Sequence, residues 1–199
     1  MCSDIKKFER QMEFIIEIDK MKSVFRQSLL SDGSRHENDA EHSWHLCMMA
    51  MTFEEYAEEN TDILKCLKML LIHDIVEIYA GDTYLYDEKG NEDKKEREMK
   101  SAEKIYGLLD DNQKKEFMDL WIEFDNGKTK EAVFSNILDR VQPIMLNYLT
   151  HGKMWLKNGI CKKQVTDKAW RVLNLAHPCI SEYMMKIIDE CVKKGYLLP

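Results

Sequence analysis

The sequence has little proline and glycine, with three prolines and eight glycines among its 199 residues. Their scarcity argues against a fold of many tight turns and favours long, regular elements. Apolar runs fall far short of the ~20 residues that a membrane helix needs, so no membrane span is expected. The segment MCSDIKKFERQM mixes charges of both signs and lacks the apolar core of a signal peptide, which predicts a cytoplasmic protein.

Cysteine pairs of the C-x-x-C type are also absent, although the sequence contains six cysteines. In a cytoplasmic protein these scattered residues are expected to be reduced thiols, several of them in the core. They are Cys2, Cys47, Cys66, Cys161, Cys179 and Cys191. The formal net charge of −7 argues against a general surface for nucleic-acid polymers. It still allows a small phosphate ligand, because a metal ion or a few arginines can set the local field.

Apolar residues recur at helical spacing through most of the chain, which predicts an all-α, single-domain helical bundle. The polar segment 28–39 is expected to be a loop, and the charged run 86–98 to be half solvated loop and half helix. Thr61 is the predicted N-cap of a helix that ends at Gly81. The other predicted helices lie at about 8–21, 39–59, 114–126, 129–149, 166–175 and 180–194.

The stretch LLIHDIVEIYAGD, residues 70–82, places three ionisable side chains inside an apolar run. On a helix, His73 and Asp74 point ~100° apart, and Glu77 returns to within ~60° of either. Burying a carboxylate without a partner costs several kcal/mol. These side chains therefore need a compensating partner.

Two other polar residues interrupt apolar helical segments: His42 in NDAEHSWHLCMMA and Asp139 in AVFSNILDRVQPIML. With His73 and Asp74 they form a ligand set for one divalent transition metal, which could be Mn, Co, Fe, Ni or Zn. Such an ion would neutralise both carboxylates and leave positions open for water and substrate. Glu77, which is not needed as a ligand, could then transfer a proton.

Simpler interpretations remain open for each of these residues. The adjacent histidine and aspartate could form a structural hydrogen bond, and Asp139 could pair with Arg140 at the surface. His45 lies one turn after His42 and could be the second half of an H-x-x-H ligand pair. We regard His45 as the weaker candidate, because four other residues already supply the protein's share of ligands.

In chain order, His42, His73-Asp74 and Asp139 resemble the H…HD…D signature of the HD-domain phosphohydrolase superfamily. The longer segments RHENDAEHSWHLCMMA, LLIHDIVEIYAGDTY and NILDRVQPI are similar to its 5′-deoxynucleotidase branch. The resemblance implies a single HD domain over residues 1–199, with a motif-bearing core at about 21–148 and C-terminal helices at about 166–194.

The resemblance also implies a role for each matching residue. His42, His73, Asp74 and Asp139 would bind the metal, and Glu77 would be catalytic. Four residues would contact the substrate: Arg26 near the phosphate, Gln27 near the sugar, Arg35 of the R-x-E-N element, and Asp82 at the 3′-hydroxyl. Gln27 stands where the family's best-described members have a tryptophan that crowds a ribose 2′-hydroxyl, so the resemblance does not fix the choice between ribose and deoxyribose.

The activity implied is removal of phosphate from (deoxy)nucleoside 5′-monophosphates. The alternatives are another HD phosphohydrolase activity, on a nucleoside triphosphate or other small phosphate ester, and a non-catalytic module that binds nucleotide or metal. The expected partner is a small phosphorylated substrate rather than a nucleic-acid polymer or a membrane. A homodimer is also possible, with Trp155, Trp170 and the C-terminal helices as its surface.

Overall fold

The computed structural model describes residues 3–199, and Cys2 therefore lies outside the described part. The described helices are α1 (Ser3–Ile18), α2 (Asp39–Thr52), α3 (Ile63–Ile72), α4 (Glu77–Ala80), α5 (Lys94–Tyr106), α6 (Asp111–Asn126), α7 (Lys130–Leu149), α8 (Lys153–Lys157), α9 (Lys162–Leu173) and α10 (Pro178–Lys193). Two short 3-10 helices cover Asp19–Ser23 and Glu54–Tyr56, and two strands are β1 (Phe25–Leu29) and β2 (His36–Asn38). The expectation of an all-α fold is confirmed.

The segment 28–39, predicted to be a loop, contains most of a small β-hairpin. Strands β1 and β2 are antiparallel, with Phe25 opposite Asn38 and Leu29 opposite His36. Strands of five and three residues are too short to show a clear alternation of apolar and polar side chains. The hairpin leads directly into α2, because Asn38 at the end of β2 also caps that helix. The Asn38 side chain accepts a hydrogen bond from the Glu41 N–H, and the Glu41 side chain accepts one from the Asn38 N–H.

The helix predicted between Thr61 and Gly81 is divided into two. Its N-cap is Asp62 rather than Thr61, since the Asp62 side chain accepts a hydrogen bond from the Lys65 N–H. Helix α3 ends at Ile72, and α4 begins only at Glu77. Between them the backbone hydrogen bonds shorten to i→i+3 spacing, as in the bond from the Glu77 N–H to the Asp74 carbonyl. The ideal α-helical angles assumed for this segment therefore do not hold across the turn.

The remaining helices agree with the predicted ones in existence and differ at their ends. Helix α2 stops at Thr52 instead of continuing to residue 59, and α9 begins four residues before the predicted Thr166. Helix α6 ends at Asn126 and is followed by Gly127, whose φ of +58° favours glycine. Thr129 caps α7, which continues through Pro143. Short α8 lies in a segment to which no helix had been assigned.

The apolar core consists of two clusters that meet around α3 and α7. One cluster joins α2, α3 and α7 to the C-terminal helices, and the other joins α3 to α1, α5 and α6. Cys66 and Cys191 are buried, and the five cysteines of the described chain are free thiols. None of the described helices is long and apolar enough to cross a membrane. The assignment of residues 1–199 to a single domain stays a prediction.

The surface suggested for a homodimer needs a correction. Trp155 is only 2% exposed and packs in the core, so it cannot contribute to a contact between subunits. Trp170 is 50% exposed and remains available. Dimerisation itself stays a prediction.

Candidate metal centre

Three separate elements bring the four predicted ligands together. His42 lies in the second turn of α2, His73 and Asp74 lie in the turn after α3, and Asp139 lies in the middle of α7. Nε2 of His42 is 3.0 Å from Oδ1 of Asp139, and Nε2 of His73 is 3.0 Å from Oδ2 of Asp74. The cross distances, from His42 to Asp74 and from His73 to Asp139, are both 3.9 Å. All four side chains therefore point at one location.

The chemistry of these side chains fits a transition metal. The ligand atoms of His42, His73 and Asp139 lie within 4.8 Å of one another. Nδ1 of His73 is 2.9 Å from the Leu70 carbonyl oxygen, to which it donates a hydrogen bond, so the lone pair lies on Nε2. Nε2 is buried and makes no hydrogen bond of its own. An orphaned imidazole nitrogen beside two carboxylates is the arrangement that a divalent transition metal would complete.

The guanidinium of Arg26 compensates part of the negative charge. Its Nη1 lies 2.6 Å from Oδ2 of Asp74 and 3.4 Å from Oδ1 of Asp39, and its Nη2 lies 3.9 Å from Oδ1 of Asp139. Asp39, at the first position of α2, is fully buried and was not identified from the sequence. Burial raises the pKa of Asp39 to about 7, with the Asp74 charge adding to the rise and Arg26 opposing it.

The carboxylates differ in their electrostatic state. Burial alone would raise the pKa of Asp74, but the adjacent His73 ring and the Arg26 guanidinium outweigh it and hold that pKa well below its usual range. Burial and the neighbouring Asp74 charge raise the pKa of Glu77 well above its usual range. Burial and Arg26 lower the pKa of His42, but contacts with Asp139 and Glu37 raise it to about 9. The site thus separates Asp74 and Asp139, whose pKa values are lowered, from Asp39 and Glu77, which hold a proton more readily.

A cavity of about 190 Å³ opens beside this centre. Seven of the nine predicted site residues line it: Arg26, Gln27, His73, Asp74, Glu77, Asp82 and Asp139. His42 is fully buried behind them. Arg35 is not brought to the cavity. Its guanidinium instead makes two hydrogen bonds to the Glu41 carboxylate, of 2.5 and 2.9 Å, at the exposed edge of α2.

Lys94 was missed because it belongs to the charged run of residues 86–98, a pattern typical of a solvated segment. At the start of α5 it lines the cavity, and its Nζ lies 3.3 Å from Oε1 of Glu98. Burial lowers the pKa of Lys94, but the charges of Glu98, Glu77 and Asp74 outweigh it and raise the pKa. The lining of the cavity therefore includes three cationic side chains, Arg26, Lys94 and Arg140. Nothing in the local sequence distinguishes this lysine from its neighbours.

The simpler interpretations of Asp139 and His45 do not match the observed contacts, whereas His73 and Asp74 lie 3.0 Å apart, as a structural pair would. Asp139 contacts His42, His73 and Arg26, and within residues 3–199 it forms no ion pair with Arg140. Nδ1 of His45 lies 3.3 Å from Nε2 of Gln142, outside the group of side chains that could hold the metal.

Comparisons with known proteins agree with this geometry. The sequence model of the HD domain family matches residues 18–180. The 5′-deoxynucleotidase HDDC2 of Xenopus laevis is 30% identical over 180 residues, which cover 90% of this chain and 86% of that protein. The Danio rerio protein of the same name is 28% identical over 138 residues, covering 69% and 68% of the two chains. The crystal structure of a predicted metal-dependent phosphohydrolase from Magnetospirillum magnetotacticum is 44% identical, with a TM-score of 0.92 over 97% of this chain and 96% of that one.

Proposed function

This chain belongs to the HD domain family, and we propose that it is a metal-dependent phosphomonoesterase that removes phosphate from (deoxy)nucleoside 5′-monophosphates. The observation that carries the proposal is the convergence of His42, His73, Asp74 and Asp139 beside a cavity that also contains Glu77 and Arg26. The names of the relatives agree with a phosphohydrolase acting on nucleotides.

His42, His73, Asp74 and Asp139 would hold the metal ion. When bound, a divalent transition metal polarises a phosphoryl oxygen and lowers the pKa of a water molecule. Arg26 already lies against Asp74, so its guanidinium is fixed before substrate arrives. A fixed guanidinium can donate two hydrogen bonds to phosphoryl oxygens and stabilise the charge that develops on them. Lys94, on α5, adds a further positive charge to the lining of the same cavity.

Glu77 is the group placed to transfer a proton. It is 3% exposed, lines the cavity, and has an Oε2 atom without a hydrogen-bond partner. A buried carboxyl that holds a proton readily can give it to the leaving 5′-oxygen, which would otherwise depart as an alkoxide. Asp82 lies two residues beyond the end of α4 and lines the same cavity, where its carboxylate can accept a hydrogen bond from a sugar hydroxyl.

Part of the remaining wall of the cavity is aromatic, which favours a nucleoside over a small aliphatic ester. Tyr84, Tyr86 and Trp155 all line it, and the two tyrosine rings pack edge to face with centroids 5.2 Å apart. Planar rings of this kind stack against a nucleobase without selecting one base strongly. The proposal therefore names the substrate class and leaves the base open.

A substrate panel tests the proposed function. Metal-loaded protein is given each deoxyribonucleoside and ribonucleoside 5′-monophosphate with Mn²⁺ or Co²⁺, and inorganic phosphate is measured. Release of phosphate from monophosphates is expected. Hydrolysis of nucleoside triphosphates to pyrophosphate or tripolyphosphate, with no reaction of monophosphates, would instead support the alternative phosphohydrolase activity. Thermal stabilisation by nucleotide without any product would support a binding module.

Arg26→Met is expected to lower kcat/KM for every monophosphate by about 10- to 100-fold, the loss of one charged hydrogen-bonding group. Steady-state kinetics of wild type and variant at saturating metal measure this. The matched variant Arg35→Met separates the two arginines that the sequence had assigned to the substrate. Because Arg35 pairs with Glu41 at the surface, kcat/KM should stay near wild type. A loss equal to that of Arg26→Met would place Arg35 at the substrate after all.

Gln27→Trp is expected to raise the preference for deoxyribonucleotides over ribonucleotides by about tenfold in kcat/KM. Gln27 lines the cavity and follows Arg26 in the sequence. An indole in its place would crowd a 2′-hydroxyl, whereas the amide can donate a hydrogen bond to that hydroxyl or accept one from it. The ratio of kcat/KM for paired substrates such as dUMP and UMP is the measurement. Gln27→Leu is the control, since it removes the amide without adding the bulk. An unchanged ratio in Gln27→Trp would show that Gln27 does not face the sugar.

A further inference from the structure

We propose that Glu37 is a positioning residue for the metal centre, which holds the His42 ring in the orientation and tautomer that metal binding requires. The inference rests on the proposed function only in that His42 is a metal ligand. It concerns two atoms on the side of His42 that faces away from the centre. These atoms are Nδ1 of His42 and Oε2 of Glu37, which lie 3.7 Å apart.

Both atoms are buried and neither has a hydrogen-bond partner. His42 is 0% exposed and Glu37 is 3% exposed, so water does not compensate either group. An unpaired buried carboxylate is costly, and within residues 3–199 Glu37 has no ion pair other than the one with His42. The Glu37 carboxylate is thus placed to accept a hydrogen bond from the Nδ1–H of His42.

The Glu37 carboxylate is itself held in place from the opposite side. Its Oε1 accepts a hydrogen bond of 2.6 Å from Nε2 of Gln142, which is also 0% exposed. Gln142 lies on α7, three residues after the predicted ligand Asp139. Helix α7 therefore places the Asp139 carboxylate on one side of His42 and, through Gln142, holds the Glu37 carboxylate on the other side. The hairpin strand β2, helix α2 and helix α7 are joined by this chain of contacts.

The consequence follows from the two nitrogens of one imidazole. If Glu37 accepts a hydrogen bond from Nδ1–H, the lone pair must lie on Nε2, which is the nitrogen that faces Asp139 and Asp74. The 3.7 Å gap between Nδ1 and Oε2 would have to close for this hydrogen bond to form. The negative charge behind the ring also makes Nε2 a stronger electron donor. Loss of a carboxylate of this kind typically weakens metal affinity by about 10- to 100-fold.

The test is metal binding by the metal-free protein, measured apart from catalysis. We expect Glu37→Gln, which keeps the shape of the side chain, to bind Co²⁺ about 10- to 100-fold more weakly in a chelator competition. The visible absorption of its Co²⁺ complex should shift, because the ligand field at His42 changes. At excess Co²⁺ kcat should largely recover, with KM for nucleotide unchanged. Unaltered Co²⁺ affinity together with an unaltered spectrum would overturn the proposal.

Glu41→Gln is the matched control, since it removes the same charge next to His42 from a side chain that is 36% exposed and faces Arg35. Its Co²⁺ affinity should stay within a few-fold of wild type. A loss equal to that of Glu37→Gln would show that the effect of Glu37→Gln comes from the change in net charge alone.

If Glu37→Gln does not fold, as judged by circular dichroism, Gln142→Met serves as the test variant, because it removes the hydrogen bond to Oε1 of Glu37. A folded Gln142→Met protein with wild-type affinity and spectrum would also overturn the proposal. If the wild-type protein hydrolyses no nucleotide but Glu37→Gln still weakens Co²⁺ binding, the proposed function is refuted and this inference stands.

Discussion

Glu77→Gln is expected to lower kcat by about 10²- to 10⁴-fold, the usual contribution of a general acid or base. The amide has the size of the carboxyl group but cannot transfer a proton. Because Glu77 lies beside the four predicted ligands rather than among them, the affinity for Co²⁺ or Mn²⁺ should change little. Phosphate release at saturating metal and a separate metal titration measure the two quantities.

The control for Glu77→Gln is another buried glutamate outside the cavity. Glu131 on α7 is 7% exposed and accepts a hydrogen bond of 3.1 Å from the Asp62 N–H. Glu131→Gln likewise replaces a buried carboxyl group by an amide, and its kcat per folded molecule should remain that of wild type. Equal rates for Glu77→Gln and wild type would remove Glu77 from the mechanism. A parallel fall in metal affinity and kcat would instead make Glu77 a ligand, which its position within ligand distance of Asp39 and Asp74 also allows.

The candidate metal centre could be predicted from the sequence because its ionisable residues stand in otherwise apolar segments. His42, His73, Asp74 and Asp139 are ionisable side chains in apolar helical segments, and such burial requires compensation wherever the helices pack. Helical periodicity placed those segments in the core, and the observed distances of 3.0–3.9 Å show that they converge.

Local spacing was less informative where backbone geometry changes within a few residues. The turn at residues 73–76 replaces helical hydrogen bonds by i→i+3 bonds, so His73 lies in the turn after α3 whereas Glu77 begins α4. The resulting positions still serve one cavity, but the angles assumed for a continuous helix were wrong. The hairpin was missed for a related reason, since its short strands carry too few residues to establish a period.

Contacts between distant segments could not be predicted from the sequence. Arg26 and Arg35 both lie in the N-terminal hairpin region, yet only Arg26 enters the cavity, because the exposed Glu41 carboxylate binds the other. Lys94 stands in a charged run typical of solvent, and the packing of α5 against α4 places it at the cavity. These outcomes depend on which helices pack together, and a charge pattern along the chain does not contain that information.

Metal ions are expected to stabilise the protein, and Asp139→Asn should abolish most of this effect. At a free Co²⁺ concentration of about 100 times Kd, binding to the native state adds about 2.7 kcal/mol to the unfolding free energy. For a chain of this size that corresponds to a rise in Tm of about 5–10 °C. Asp139→Asn removes the carboxylate that lies 3.0 Å from Nε2 of His42, so its Tm should respond little to Co²⁺, and its rate of phosphate release should fall as well.

Because contacts with Asp139 and Glu37 raise the pKa of His42 to about 9 in the metal-free protein, Co²⁺ must displace a proton from that ring. Its apparent affinity should therefore increase with pH, by up to about tenfold per unit below that pKa. Thermal scans and chelator competitions at pH 7 and 8 check both effects, and an Asp139→Asn protein stabilised by Co²⁺ as strongly as wild type would show that the ion binds elsewhere.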